Sequence, residues 1–112
     1  MAQVTVMGNI SNDATFSSSA NSSRLNFSVA DNIQVWDAKS SQYVDKTQYF
    51  SCVLFGKRAE TMREYITKGR FVTVIGELVA NPYVNKDGQP SVFLDINVDI
   101  IKLQGFPRQS DK

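Results

Sequence analysis

Alternation of apolar and polar residues with a period of two, recurring in separate stretches, is the feature that most narrows what this chain can fold into. Near the N-terminus Val4, Val6, Gly8 and Ile10 share one parity, and Gln3, Thr5, Met7 and Asn9 the other. That is the pattern of a strand with its even positions on a core. Leu25, Phe27 and Val29 repeat it. Thr47 to Phe55 is apolar on both parities, with Phe50, Cys52 and Leu54 opposed to Tyr49, Val53 and Phe55. Only one of these sets can face an interior. Further on, Val72, Val74, Gly76 and Leu78 alternate with Phe71, Thr73, Ile75 and Glu77, and Gly76 suits a tight bend or the close approach of a neighbouring backbone. Val92, Leu94, Ile96, Val98 and Ile100 form a last strand.

A helical period appears after Gly56-Lys57, where Ala59, Met62, Tyr65 and Ile66 recur up to a basic last turn and glycine stop at Lys68-Gly69. Glu60 and Glu64 there read as a solvated face, not a catalytic pair. Asn12, Asp13 and the Ser17–Ser23 run are turn and loop formers, so the chain is expected to cross the surface there. Asp31 to Lys46 is polar except for Ile33, Val35, Trp36, Tyr43 and Val44, and reads as a long loop or a hairpin. Trp36 within it is either a plug folded back on the core or a binding residue. Asp87-Gly88 marks a hairpin turn. Five strands with one helix between the third and fourth is the order of a five-stranded OB-fold, a small all-β, partly open Greek-key barrel. The barrel is assigned to residues 1–104 and a short frayed tail to residues 105–112.

Several function classes are set aside by composition. The chain has no histidine and one cysteine, Cys52, which removes disulfide frameworks and multi-cysteine metal sites. Gly56-Lys57 is followed by Arg58, and Ser51 stands where a phosphate-binding loop needs its first glycine. Asp95 and Asp99 lack a third metal ligand. Neither an enzyme nor a cofactor is expected. No apolar run approaches the about 18 residues of a membrane span, and the N-terminus alternates where a signal peptide would not, so no membrane partner and a cytoplasmic location are expected. Asn21-Ser22-Ser23 matches a glycosylation acceptor, which in that location is accidental. Net charge is only +1, so charge alone does not suggest nucleic acid.

The aromatic residues do. An open barrel face that holds a single strand needs flat side chains for bases and cations for phosphates. Tyr49 and Phe55 share one face of their strand, while Trp36 and Tyr83 sit in connections that could reach over it. Lys57, Arg58, Lys68, Arg70 and Lys86 lie at the ends of the same elements as candidate phosphate contacts. The same apolar residues, Tyr49, Val53, Phe55, Phe71 and Ile75, could equally form the patch of an oligomer. A protein-interaction module of a replication or primosome complex is the alternative from another class.

From Val4 to about Leu103 the chain resembles the bacterial and phage single-stranded DNA-binding protein family. The matching blocks are Val4-Thr5-Val6-Met7-Gly8-Asn9-Ile10, Phe27-Ser28-Val29-Ala30, Thr47-Gln48-Tyr49-Phe50 continuing through Val53-Leu54-Phe55-Gly56-Lys57-Arg58-Ala59-Glu60, Glu64-Tyr65-Ile66-Thr67-Lys68-Gly69, Val72-Thr73-Val74-Ile75-Gly76-Glu77-Leu78, and Asp87-Gly88. The resemblance implies an OB-fold that binds and protects single-stranded DNA without sequence preference in replication, recombination or repair. It implies stacking at Tyr49, Phe55 and Tyr83, with Trp36 only approximately aligned, and places Lys57 and Lys68 at basic positions. It also implies a homo-oligomer, a tetramer ahead of a dimer. Three departures are visible. Val79-Ala80-Asn81-Pro82 lacks the basic residues usual before the hairpin aromatic, tyrosines replace tryptophans at positions 49 and 83, and no acidic, hydrophobic tip follows Leu103. Recruitment of repair and replication enzymes through such a tip is therefore not expected of these residues.

Overall fold

The first alternating stretch folds as β1 (Gln3–Ile10), which buries Val6 and Ile10 and exposes Thr5, Met7 and Asn9. The computed structural model describes residues 1–20 and 22–104, and the tail expected over residues 105–112 lies outside the described residues. After β1 come β2 (Thr15–Ser19), β3 (Ser22–Asp37), β4 (Gln42–Phe55), the helix α1 (Lys57–Met62), β5 (Phe71–Val84) and β6 (Pro90–Gln104). The strands pair in the order β1-β5-β6-β4-β3, and β3 pairs back onto β1, so five strands close a barrel with β2 attached outside on β3. Among these pairings β4–β6 is parallel, joining Ser51 to Asp95 and Val53 to Asn97. This is the expected OB architecture, with α1 between the third and fourth barrel strands.

Two glycines let the barrel close. At Gly8 β1 turns from β5 toward β3, and a Cβ there would overlap the carbonyl oxygen of Ala30. At Gly76, where the β5–β6 register shifts at a bulge, a Cβ would overlap the carbonyl oxygen of Asn97. Gly76 is the close backbone approach that the sequence indicates. The core that these crossings enclose is aliphatic. Leu25, Val29, Leu54, Val72, Val74 and Ile96 are fully buried, and Ala59 of α1 joins them with Ile66 from the turn that follows.

Three local expectations change. The Ser17–Ser23 run is no surface loop, because Thr15–Ser19 forms β2 and pairs with the start of β3. Its side chains stay mostly exposed, so the strand is held by its backbone ladder and leaves no burial pattern to read. The helix ends at Met62 instead of reaching Lys68. Beyond Met62 the chain makes one turn, the Tyr65 and Ile66 amides both donating to the Met62 carbonyl, and backbone bonds from Gly69 to Ile10 and from Ile10 to Arg70, at 2.7 and 2.8 Å, then join it to β1. Of the two readings of Asp31–Lys46, the hairpin holds, since β3 and β4 stay paired from Arg24–Phe55 out to Asp37–Gln42 without a register break. Its turn is organised by Asp37, whose carboxylate accepts from the Lys39 amide and the Ser40 hydroxyl. Among the described residues no helix is long and apolar enough to cross a membrane.

Candidate nucleic-acid interface

The unbroken β3–β4 register divides the hairpin into two rows. Leu25–Leu54, Phe27–Cys52 and Val29–Phe50 point inward and are buried. Arg24–Phe55, Asn26–Val53, Ser28–Ser51, Ala30–Tyr49, Asn32–Thr47, Gln34–Asp45 and Trp36–Tyr43 form the other row, which runs from the barrel out along the hairpin arm. Polar pairs alternate with rings along it. Thr47 donates to Asn32 Oδ1 at 2.8 Å, Gln34 to Asp45 at 3.4 Å, and Trp36 meets Tyr43 edge-on with centroids 5.2 Å apart. Tyr49 and Phe55 lie on the outward row as expected from parity. Six residues of strand separate them by about 20 Å, too far for the two rings to sandwich one base.

A second outward row continues this surface. In the β5–β6 hairpin Val79–Asp95, Asn81–Phe93 and Tyr83–Ser91 are outward pairs, and the parallel Ser51–Asp95 pair joins them to β4. Tyr83 lies flat on Phe93, centroids 4.2 Å apart and planes 13° apart, so each ring offers its other face. Trp36, Tyr43, Tyr49, Phe55, Tyr83 and Phe93 are between 37% and 66% exposed, far from what a core position would show. Between the β1–β2 connection and the outward row of β3–β4 runs a groove of about 560 Å³, lined among others by Asp13, Arg24, Asn26, Ser51, Phe55 and Asp95.

A family model described as the single-strand binding protein family matches residues 1–104. The chain belongs to this family. A single-stranded DNA-binding protein of Borreliella burgdorferi is 35% identical over 80 residues, covering 70% of this chain and 52% of that protein. One of Paenarthrobacter aurescens is 29% identical over 100 residues, covering 88% of this chain and 58% of that protein. The chain thus spans about half the length of the curated relatives it matches. The crystal structure of a small single-stranded DNA-binding protein from Streptomyces coelicolor superposes with a TM-score of 0.74 at 23% identity, covering 92% of this chain and 94% of that one. The Plasmodium falciparum SSB in complex with ssDNA gives 0.72 at 18% identity, covering the same shares. At these identities the solved structures establish the shared fold.

Within this family member the five basic candidates are not equivalent. Lys57 opens α1, Lys68 stands in the α1–β5 connection and Lys86 in the β5–β6 turn, all exposed. Arg58 instead reaches across to β6, where its guanidinium donates to the carbonyls of Val98, at 3.0 Å, and Asp99. Arg70 donates to the Tyr65 carbonyl at 3.1 Å. Arg58 thus staples α1 to β6 and Arg70 bonds within the α1–β5 connection, which makes both the weaker phosphate candidates. Residues that sequence reasoning missed are Phe93, Tyr43 and Arg24, the last held 5.2 Å above the Phe55 ring. Counting strand pairs back from the Asp87-Gly88 turn would have placed Phe93 diagonally beside Tyr83.

The sequence grouped Tyr49, Val53, Phe55, Phe71 and Ile75 as one potential apolar patch, and the barrel separates them. Phe71 and Ile75 sit on the outer face of β5 beside Asn9 and Thr5 of β1, where exposed Met7 and Ile100 adjoin them, away from the β3–β4 row. Cys52 lies in the groove floor, where burial and, secondarily, the Asp95 charge push its thiol up to about 12. It stays protonated and unreactive at neutral pH. Among the described residues no group of three or more His, Cys, Asp or Glu side chains could hold a metal ion.

Proposed function

We propose that this chain binds single-stranded DNA without chemical change, through the continuous outward surface of β3–β4 and the β5–β6 hairpin. The observation that carries this reading is the set of six exposed rings on that one surface, interleaved with hydrogen-bonding side chains. Exposed rings are costly to hydrate but stack on any base, because every base has a π-face. Trp36, Tyr49, Phe55 and Tyr83 take bases, joined by Tyr43 and Phe93. Lys57, Lys68 and Lys86, with Arg58 and Arg70 at the margin, meet phosphates. With a net charge of +1 and no basic residue in Val79-Ala80-Asn81-Pro82, stacking contributes more than counterion release.

Electrophoretic shift of labelled oligo(dT), with a duplex of the same length as competitor and with or without Mg²⁺, tests this. A shift that the duplex does not relieve is expected, with the oligonucleotide intact. Equal competition by the duplex would overturn single-strand recognition, cleavage would make the protein an enzyme, and no shift would favour the protein-interaction module.

The second surface carries a separate part of the reading. Met7, Phe71, Ile75 and Ile100, interspersed with Thr5, Asn9, Thr73 and Lys102, lie on one outer face of β1, β5 and β6, which we assign to contact with another copy of the chain. A homo-oligomer acting in the cytoplasm to protect single strands in replication, recombination or repair follows, with a tetramer ahead of a dimer. Sedimentation equilibrium measures it, and a monomer at high concentration would refute it.

A further inference from the structure

The outward row of β3–β4 is made of rings, amides, hydroxyls and small side chains, and Arg24 is its one basic group. In the ladder Arg24 stands between Phe55 of β4 and Ser17 of β2. The pairs Ser17–Arg24 and Ser19–Ser22 carry the outward row past β3 onto β2, where Ser17, Ser18, Ser19, Ser22 and Arg24 line a recess of about 230 Å³. Arg24 also lines the groove beside Phe55, so it stands where the groove and the recess meet. Its contact there is loose. The guanidinium carbon lies 5.2 Å from the Phe55 centroid, toward the outer limit of about 6 Å for a cation–π contact, and among the described residues no carboxylate pairs with it. Arg63 gives the contrast, because its guanidinium sits 3.9 Å above Phe16, a ring that packs on the core.

A guanidinium is a planar fork of donors that matches the oxygens of a phosphate two at a time, and such a charge-assisted pair is stronger than an exposed contact with a ring. A nucleotide whose base stacks on Phe55 brings a phosphate alongside, and it needs the ring that Arg24 overlies. We infer that Arg24 is the phosphate contact of the nucleotide stacked on Phe55, its guanidinium leaving the ring on binding and holding the phosphate at the mouth of the β2 recess, beside Ser17. One movement both uncovers the stacking face and supplies the cation. The inference rests on the single-strand-binding reading above and extends it, adding a phosphate position within a surface otherwise built for bases and carrying the path of the strand from β4 across β3 onto β2.

Anisotropy of labelled oligo(dT) with the full chain, between about 50 and 200 mM salt, is the test. Arg24→Ala should flatten the dependence of log affinity on log salt by about 0.7, the value for one phosphate of a single strand, and weaken binding about tenfold at the low-salt end. Arg24→Lys, which keeps the charge without the fork, should keep the slope. The effect of Arg24→Ala on the slope should persist when Phe55 is already Ala, because a phosphate contact does not act through the ring. Ser17→Asp sets a carboxylate opposite Arg24, at the phosphate position, and should weaken binding at low salt. Arg63→Ala removes the same charge elsewhere and should leave the slope as it is. Tighter binding by Arg24→Ala at an unchanged slope would make Arg24 a cover for the ring and overturn the inference. So would a loss that vanishes in the Phe55→Ala background, an equal slope change in Arg63→Ala, or normal binding by Ser17→Asp. Failure of the wild-type protein to bind oligo(dT) would refute single-strand binding itself, and this assignment with it.

Discussion

The two outer surfaces of the barrel are both rich in exposed apolar side chains, yet they are built differently. On β3–β4 the exposed rings alternate with Asn, Gln, Ser and Thr pairs, and hydrogen bonds such as Thr47–Asn32 tie the rows together. On β1, β5 and distal β6, Met7, Phe71, Ile75 and Ile100 are also separated by polar residues, Thr5, Asn9, Thr73 and Lys102, but only Phe71 among the four carries a ring. The first texture matches a ligand that itself alternates flat apolar rings with polar links. The second, with one ring among flexible side chains, offers little for a base to stack on. Exposure alone does not separate the two surfaces, whereas the number of exposed rings on each does.

The hardest test of that contrast replaces both Tyr49 and Phe55 with Ala. Binding to oligo(dT) should weaken by about 2–6 kcal/mol if the two stacked bases contribute independently, while the melting temperature barely moves. The paired change Met7→Ser with Ile100→Ser should do the reverse, shifting the sedimentation equilibrium toward monomer and leaving each protomer's affinity for a short oligonucleotide intact. If the Tyr49/Phe55 variant dissociates or unfolds and its folded fraction binds normally, the assignment of the two surfaces is inverted.

Leu54→Ala sharpens the boundary between the outward and inward rows of β4. Leu54 is fully buried, so chemical denaturation should show a loss of about 2–5 kcal/mol, with binding by the folded fraction unchanged. A smaller cost would mean that the barrel relaxes around the cavity.

Cys52, beneath the same surface, supplies a pH dependence. Its thiol ionises near 9.0 when unfolded and near 12 when folded, so protonation favours the native state. That contribution is complete below pH 9 and declines as the pH rises toward 12, by about 1.4 kcal/mol for each pH unit. Comparing wild type with Cys52→Ala in denaturant titrations across this range isolates it, since the tyrosines are common to both. Parallel curves would show that the thiol is open to solvent.

The smallest expected effect concerns the basic side chains around α1. Lys57→Ala should flatten the dependence of log affinity on log salt by about 0.7 if Lys57 meets one phosphate, with stability unaltered. Arg58→Ala should lower stability instead, because its guanidinium bridges α1 to the β6 carbonyls. A salt-slope change at Arg58 as large as that at Lys57 would erase the distinction between them.

Which residues share a face was written in the chain. Parity alone separates Phe50, Cys52 and Leu54 from Tyr49, Val53 and Phe55, and the strand–helix order points to the barrel, because side chains of a strand alternate whatever its neighbours are. Gly76 was legible for a similar reason, as a break in an otherwise bulky inner row. β2 was not, since its side chains are mostly exposed and Phe16 alone among them packs on the core. The end of α1 was also hidden, since the apolar spacing runs on into the turn at Tyr65 and Ile66 that follows it.

What only the tertiary structure decided is who stands beside whom. Alternation tells a residue's face but not its partner, and closing a barrel pairs strands that are far apart in the chain. Arg24 reaches Phe55 through a register counted from a turn whose position the polar arm does not reveal. Asp95 meets Ser51 through a parallel pairing that exists only once β6 crosses to β4. The same crossing divides one apparent apolar patch into two surfaces and assembles the groove from the β1–β2 connection, β3, β4 and β6, whose contacts form only when the ring closes.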